Sequence, residues 1–192
     1  MSKPKPICIV GIPGSGKTTL VREYQSIRSD VYCLTGSTVI AEVIKPLTLA
    51  DYKTLPSDEK FHLHEKALTY LHNLYVQDLR LIVVDGHLSF QMENPDKFEE
   101  VFTESDNNLY GTLILFNPPA SVIFERRLND KNKLRCTLLD NIKKHAYFEA
   151  NLARKMAKEH GFTLFEIETQ NLEESLLKLD LAVNSILAPT SR

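Results

Sequence analysis

Gly11, Ile12, Pro13, Gly14, Ser15, Gly16, Lys17 and Thr18 form an unbroken G-x-x-x-x-G-K-S/T stretch, a spacing whose chemistry is phosphate binding. Glycines at those intervals let backbone N–H groups curl around a phosphate chain, and the helix that starts there adds the positive end of its dipole. Gly11, Pro13, Gly14, Ser15, Gly16, Lys17, Thr18 and Thr19 are therefore the candidate nucleotide-binding residues. Lys17 has the reach for the β- and γ-phosphates, and the Thr18 hydroxyl is suited to hold Mg2+. The apolar run Ile7, Cys8, Ile9, Val10 precedes the loop, and Leu20, Val21, Tyr24 and Ile27 follow at helical spacing. Strand, loop and helix in that order are the context this motif requires. The stretch implies a nucleoside triphosphate with Mg2+ as ligand.

Four further groups of residues could act beside it. Leu81, Ile82, Val83 and Val84 deliver Asp85 to a strand end, where a carboxylate can hold Mg2+ directly or through water or simply cap a turn before Gly86. His87, two residues on, is a candidate substrate contact or a structural hydrogen-bonder. Arg126, Arg127, Lys131, Lys133 and Arg135 make a basic run that either closes as a lid over about 129–137 or stays a solvated connector. As a lid, Arg127 and Arg135 would screen charge on a transferring phosphoryl group, with Lys131 and Lys133 on the nucleotide. Ser37, Thr38 and Glu42, just after Thr35 and Gly36, would meet the acceptor or merely cap a helix. His62 and His64 lie two apart on a helical stretch and cannot share a zinc ion. The acidic run Glu93, Asp96, Glu99, Glu100, Glu104 and Asp106 reads as a solvated face.

The elements that must position these groups alternate strand and helix. Strands are expected at 7–10, 31–34, 81–85, 112–116 and 162–167. Ser37 or Thr38 would cap a helix to Ile44, and Ser57 would open a long helix to about Asp78. Asn117, with prolines in the first turn, would cap another that ends near Leu128. Leu139, Ile142, Ala146, Glu149, Ala153 and Met156 recur at helical spacing up to Gly161, and Leu172, Leu176, Leu179, Val183 and Ile186 mark the last helix. The pattern is that of a doubly wound, five-stranded parallel sheet, whose ligands bind beyond the carboxyl ends of the strands.

The chain of 192 residues fits one domain, 1–192, and its hydrophobic fraction of 43% and charged fraction of 25% are ordinary for a globular protein. A net charge of −2 gives no strong nucleic-acid signal. No apolar run is long enough to span a membrane. Cys8, Cys33 and Cys136 are widely spaced and odd in number, which points to a reducing, cytoplasmic setting.

In this order the pieces resemble the adenylate-kinase-like branch of P-loop kinases, above all the archaeal-type adenylate kinases. The likeness runs from Ile7 to Leu187. It rests on Gly11 to Thr18, an acceptor helix beginning near Ser37-Thr38-Val39, Asp85-Gly86-His87 and Arg126-Arg127-Leu128. It implies a P-loop NTPase α/β fold with strand order 2-3-1-4-5, an ATP donor with Mg2+, and lid arginines that close on the phosphates. Lys133-Leu134-Arg135-Cys136 stands where such lids carry Arg-x-Arg-Asp, and no counterpart of the acceptor-side arginine is evident. The implied activity moves a γ-phosphoryl group to a small acceptor, a nucleoside monophosphate or related metabolite. With a hydroxyl acceptor, Asp85 or Glu42 would take the proton. An ATPase that also works on a protein partner, or a nucleotide-binding interaction protein, is the alternative. Asn117-Pro118-Pro119 lacks the base-reading Asn-Lys-x-Asp of small GTPases.

Overall fold

A computed structural model describes residues 3–92, 94, 96–131 and 135–188. Strand β1 (Ile7–Val10) leads through the phosphate-binding loop into helix α1 (Lys17–Ile27), then β2 (Val31–Thr35) and α2 (Gly36–Val43). After α3 (Leu49–Thr54) and α4 (Ser57–Gln77) come β3 (Leu81–Asp85), a small hairpin of β4 (Ser89–Gln91) and β5 (Phe98–Glu100), and α5 (Glu104–Leu109). The chain closes with β6 (Thr112–Phe116), α6 (Ala120–Asn129), α7 (Leu139–His160), β7 (Thr163–Ile167) and α8 (Leu172–Leu187).

The main sheet runs β2-β3-β1-β6-β7, and every pairing is parallel. Counting only its own strands, the order is the expected 2-3-1-4-5. Side chains alternate across a strand, so each strand feeds two cores. Ile7, Ile9, Val83, Ile114 and Phe116 join Leu20, Val21, Tyr24, Leu179 and Val183 on the α1/α8 face. Cys8, Val10, Ile82, Val84, Leu113 and Leu115 join Leu68, Leu71, Ala150, Ala153 and Met156 on the α4/α7 face. Both faces are covered, which is why the strands read as unbroken apolar runs rather than alternating ones. A third cluster, Ile12, Ile123, Ile142 and Ala146, seats the phosphate-binding loop on α6 and α7. Truncating Leu113, fully buried at the centre, would cost about 2–5 kcal/mol. Among the described residues no helix is long and apolar enough to cross a membrane.

Several local expectations are corrected. Thr35, not Ser37 or Thr38, is the N-cap of α2; its side chain accepts from the Thr38 N–H while Thr38 Oγ1 accepts from the Thr35 N–H at 3.1 Å. Helix α4 does open at Ser57, with Pro56 at its N-cap position and no side-chain cap. Asn117 does not cap α6, which begins at Ala120 behind Pro119; the Asn117 N–H instead donates to the Ile167 carbonyl at 3.0 Å. The acidic run is not one solvated face. Phe98–Glu100 forms β5, and Asp106 is buried at the start of α5, within 2.8 Å of both the His64 imidazole and the Thr103 N–H.

Candidate functional site

The loop between β1 and α1 owes its shape to backbone that side chains would obstruct. Gly11 has φ of +148°, and a Cβ there would sit 2.4 Å from the Phe116 carbonyl oxygen. Gly16 ends the loop in the left-handed region at φ +102°, where it is the N-cap of α1 with no side-chain hydrogen bond. The first N–H groups of α1 therefore have no side-chain cap, and the Ser15 hydroxyl is buried without a protein partner. A buried orphan hydroxyl is costly unless a ligand completes it. Both features fit a phosphate chain.

Charged side chains hold the outside of this loop. Arg126 Nη1 donates to the Ser15 carbonyl. Arg127, only 6% exposed, donates to the Pro13 carbonyl from Nε at 3.0 Å and Nη2 at 2.6 Å, and to the Cys136 carbonyl from Nη1 at 2.8 Å. The Gly11 N–H donates to Glu149 Oε1 at 3.0 Å.

At the mouth of the sheet, Lys17 Nζ donates to the Gly11 carbonyl at 2.6 Å and lies 3.9 Å from Asp85 Oδ1. Thr18 Oγ1 donates to Asp85 Oδ2 at 2.6 Å. Hydroxyl and carboxylate thus stand together on opposite walls of one cleft, which suits a divalent cation held through oxygen. His87 Nδ1 is 2.9 Å from the same Gly11 carbonyl and 3.3 Å from Lys17 Nζ. Burial, reinforced by the Lys17 charge, holds its pKa well below the ordinary histidine value. His87 is therefore neutral at physiological pH. Burial also lowers the Lys17 pKa, against the opposing pull of the Asp85 and Glu149 carboxylates.

The cleft above these groups has a volume of about 520 Å³, and Gly16, Lys17, Thr18, Asp85, His87, Phe116, Arg126 and Arg135 all line it. A second hollow of about 550 Å³ adjoins it, sharing Arg126 and Asp130 and reaching Glu125 and Gln170. The structure thus brings Lys17, Thr18, Asp85, His87 and Arg135 to one place, with Arg135 also paired to Asp130. Arg127 is turned to the backbone beneath the loop rather than into the cleft. Ser37 and Thr38 are exposed, with Thr38 in the capping box and the Ser37 hydroxyl 2.9 Å from Thr35 Oγ1. Glu42 is exposed and paired with Lys45 at 2.6 Å. Lys131 is exposed at the end of α6. Lys133 lies outside the described residues, as does the centre of the expected lid.

Two residues to which sequence reasoning gave no role of their own belong in the description of the site. Arg126 reaches the loop and the cleft at once; its neighbour Arg127 carried the expectation, because adjacent arginines on a helix cannot be told apart by spacing alone. Glu149 had a signal, a carboxylate within the apolar stripe of α7, and it is 1% exposed.

A family model described as an AAA domain matches residues 10–146, more than half of the chain. The chain belongs to the AAA domain family. Curated proteins give no match. Among solved structures this AAA domain is similar to the shikimate kinase of Acinetobacter baumannii in complex with shikimate, with a TM-score of 0.60 at 15% identity over 98% of this chain and 96% of that one. It is also similar to the shikimate kinase of Bacteroides thetaiotaomicron, with a TM-score of 0.58 at 16% identity over 94% of this chain and 98% of that one. At such identities the likeness is one of fold: this AAA domain has the α/β fold of P-loop NTPases, with its five-stranded parallel sheet.

Proposed function

We propose that the protein is an ATP-dependent phosphotransferase that moves the γ-phosphoryl group to a small acceptor, a nucleoside monophosphate or related metabolite. The convergence of Lys17, Thr18 and Asp85 beside an uncapped helix N-terminus carries this reading. The loop N–H groups and the Ser15 hydroxyl bind the phosphate chain, and Lys17 leaves the Gly11 carbonyl to meet the β- and γ-oxygens. Thr18 and Asp85 would hold Mg2+, which supplies charge neutralisation on those oxygens when bound. Arg135 screens the transferring group from the α6 side, and Lys131 and Lys133 are assigned to the nucleotide. Ser37, Thr38, Glu42 and His87 face the acceptor in this reading. A phosphate acceptor needs no base; a hydroxyl acceptor would give its proton to Asp85.

Asp85-Gly86-His87 and Arg126-Arg127-Leu128 support the adenylate-kinase-like subtype, and the bound shikimate of one structural neighbour is the reason to include hydroxyl acceptors among those tested. The free thiols of Cys8, Cys33 and Cys136 agree with a cytoplasmic setting. A second reading has one specific observation behind it. Arg127 is engaged by the Pro13 and Cys136 carbonyls, which takes one expected cation off the transferring group and favours an ATPase or nucleotide-binding protein over a kinase. ADP formation from ATP and Mg2+, with and without a panel of nucleoside monophosphates and small hydroxyl compounds, separates the two. Acceptor-dependent ADP is expected; ADP formed at one rate whatever is added would favour the second reading.

A further inference from the structure

The β1–β3 ladder ends where the site begins. Its last bond runs from the Gly86 N–H to the Ile9 carbonyl at 2.9 Å. Beyond it the two chains part, one becoming the phosphate-binding loop, the other the segment that carries His87. Glu149 takes over at that point. Its Oε1 accepts from the Gly11 N–H at 3.0 Å and from the Leu88 N–H at 2.9 Å, so a single oxygen bridges the two walls. Its Oε2 accepts from the Ser89 hydroxyl, which also lies 3.1 Å from His145 Nε2. The His145 ring is stacked on Phe98 of the hairpin at 4.8 Å between centroids. Ala146, Ala150 and Ala153 on the same helix are buried around Glu149, small enough to let α7 approach both walls.

We propose that Glu149 is a positioning residue that sets the separation between the Lys17/Thr18 wall and the Asp85/His87 wall of the cleft. A carboxylate buried in this way is expensive to desolvate, and three donors on one anion are what offsets the cost. Packing alone would not need both amides on one oxygen. The consequence is specific. Metal-free ATP needs chiefly the loop wall, whereas ATP with Mg2+ also needs Asp85 on the other. Loss of the bridge should therefore weaken the magnesium-dependent part of binding more than the rest.

This inference rests on the nucleotide-binding reading above, and the test separates the two. ATP affinity is measured by calorimetry with Mg2+ and again with EDTA, for the wild type, Glu149→Leu, Glu149→Asp and Glu149→Gln, with thermal melts in parallel. In the wild type Mg2+ should tighten ATP binding. Glu149→Leu, or Glu149→Asp if the leucine variant does not fold, should shrink that tightening about tenfold, the scale of one charge-assisted hydrogen bond. Glu149→Gln should recover most of it. Its amide oxygen can accept from both backbone N–H groups, while its NH2 donates to Ser89 Oγ, whose proton turns to His145 Nε2. An unchanged magnesium effect in the leucine and aspartate variants overturns the positioning role alone. An equal loss in the glutamine variant also overturns it, because charge rather than the bridge would then be responsible. No ATP binding by the wild type overturns the nucleotide reading, and this inference with it.

Discussion

The phosphate-binding loop and the start of α2 are built on different terms. On the loop side the backbone is fixed by distant charged side chains, with Arg126, Arg127 and Glu149 each gripping a named carbonyl or amide. On the α2 side the polar groups satisfy one another locally: Thr35 with Thr38 and Ser37, Glu42 with Lys45. Preorganisation of the first kind suits a ligand whose shape never varies, the triphosphate. The exposed hydroxyls of the second can exchange their local bonds for those of an acceptor at small cost. In the proposed function, donor recognition thus belongs to the frame of the fold and acceptor recognition to its surface.

That contrast can be broken from the loop side first. Lys17→Ala should leave the fold intact and lower turnover by about 10²-fold or more, roughly 3 kcal/mol of transition-state stabilisation. Single-turnover kinetics with a responsive acceptor would show it.

Arg127→Ala sharpens the comparison, because it should act through the frame. Two carbonyls lose their donors, so thermal or urea unfolding should report a loss of about 2–3 kcal/mol. Arg127→Lys should not restore it, since an ammonium lacks the fork that spans Pro13 and Cys136. Arg135→Ala, by contrast, should lower turnover while leaving the unfolding midpoint nearly unchanged. Reversed behaviour of the two arginines would give Arg127 back the direct role expected from sequence.

Asp85→Asn keeps size and strand position while it removes one charge opposite Thr18. Turnover should fall about thirtyfold, near 2 kcal/mol, and the Mg2+ concentration for half-maximal rate should rise. An unchanged magnesium titration would reduce Asp85 to a hydrogen-bond partner of Thr18.

At the start of α2 the effects should be smaller. Thr35→Ala removes a capping box and should cost about 1 kcal/mol of stability, while Ser37→Ala should raise the KM for the acceptor and leave that for ATP unchanged. The smallest effect belongs to His64. Burial lowers its pKa, but the hydrogen bond and charge of Asp106 outweigh that, and the net shift is upward from 6.5. A raised folded-state pKa stabilises fully below the unfolded value, about 6.5, and the gain disappears as pH rises through the folded value. The melting temperature of the wild type should thus fall relative to His64→Gln as pH rises from about 6 to 8.

Legibility followed the range of the interactions. The phosphate-binding loop and the five strands were readable because each is set by residues within a few positions. The strand order came from family resemblance, since no periodicity encodes it. The hairpin escaped because Ser89–Gln91 and Phe98–Glu100 are three residues each, too short for an alternation to register. Asp106 looked solvated because its partner His64 lies 42 positions away. Arg127 was given a place on the phosphates and Glu149 was passed over for the same reason, with partners in the loop 114 and 138 positions distant. Asn117 misled because the second proline after it, Pro119, displaced the helix start to Ala120. Side-chain type announced that these residues were polar in apolar surroundings; only the fold shows which backbone groups they hold.

In the proposed function, Lys17, Thr18 and Asp85 together support phosphoryl transfer to a small acceptor. ADP release from ATP and Mg2+ with an acceptor panel, compared between wild type and Lys17→Ala, tests it most directly. ADP release should rise with at least one acceptor in the wild type and disappear in the variant. Equal ADP release by both proteins, whatever acceptor is present, would contradict it.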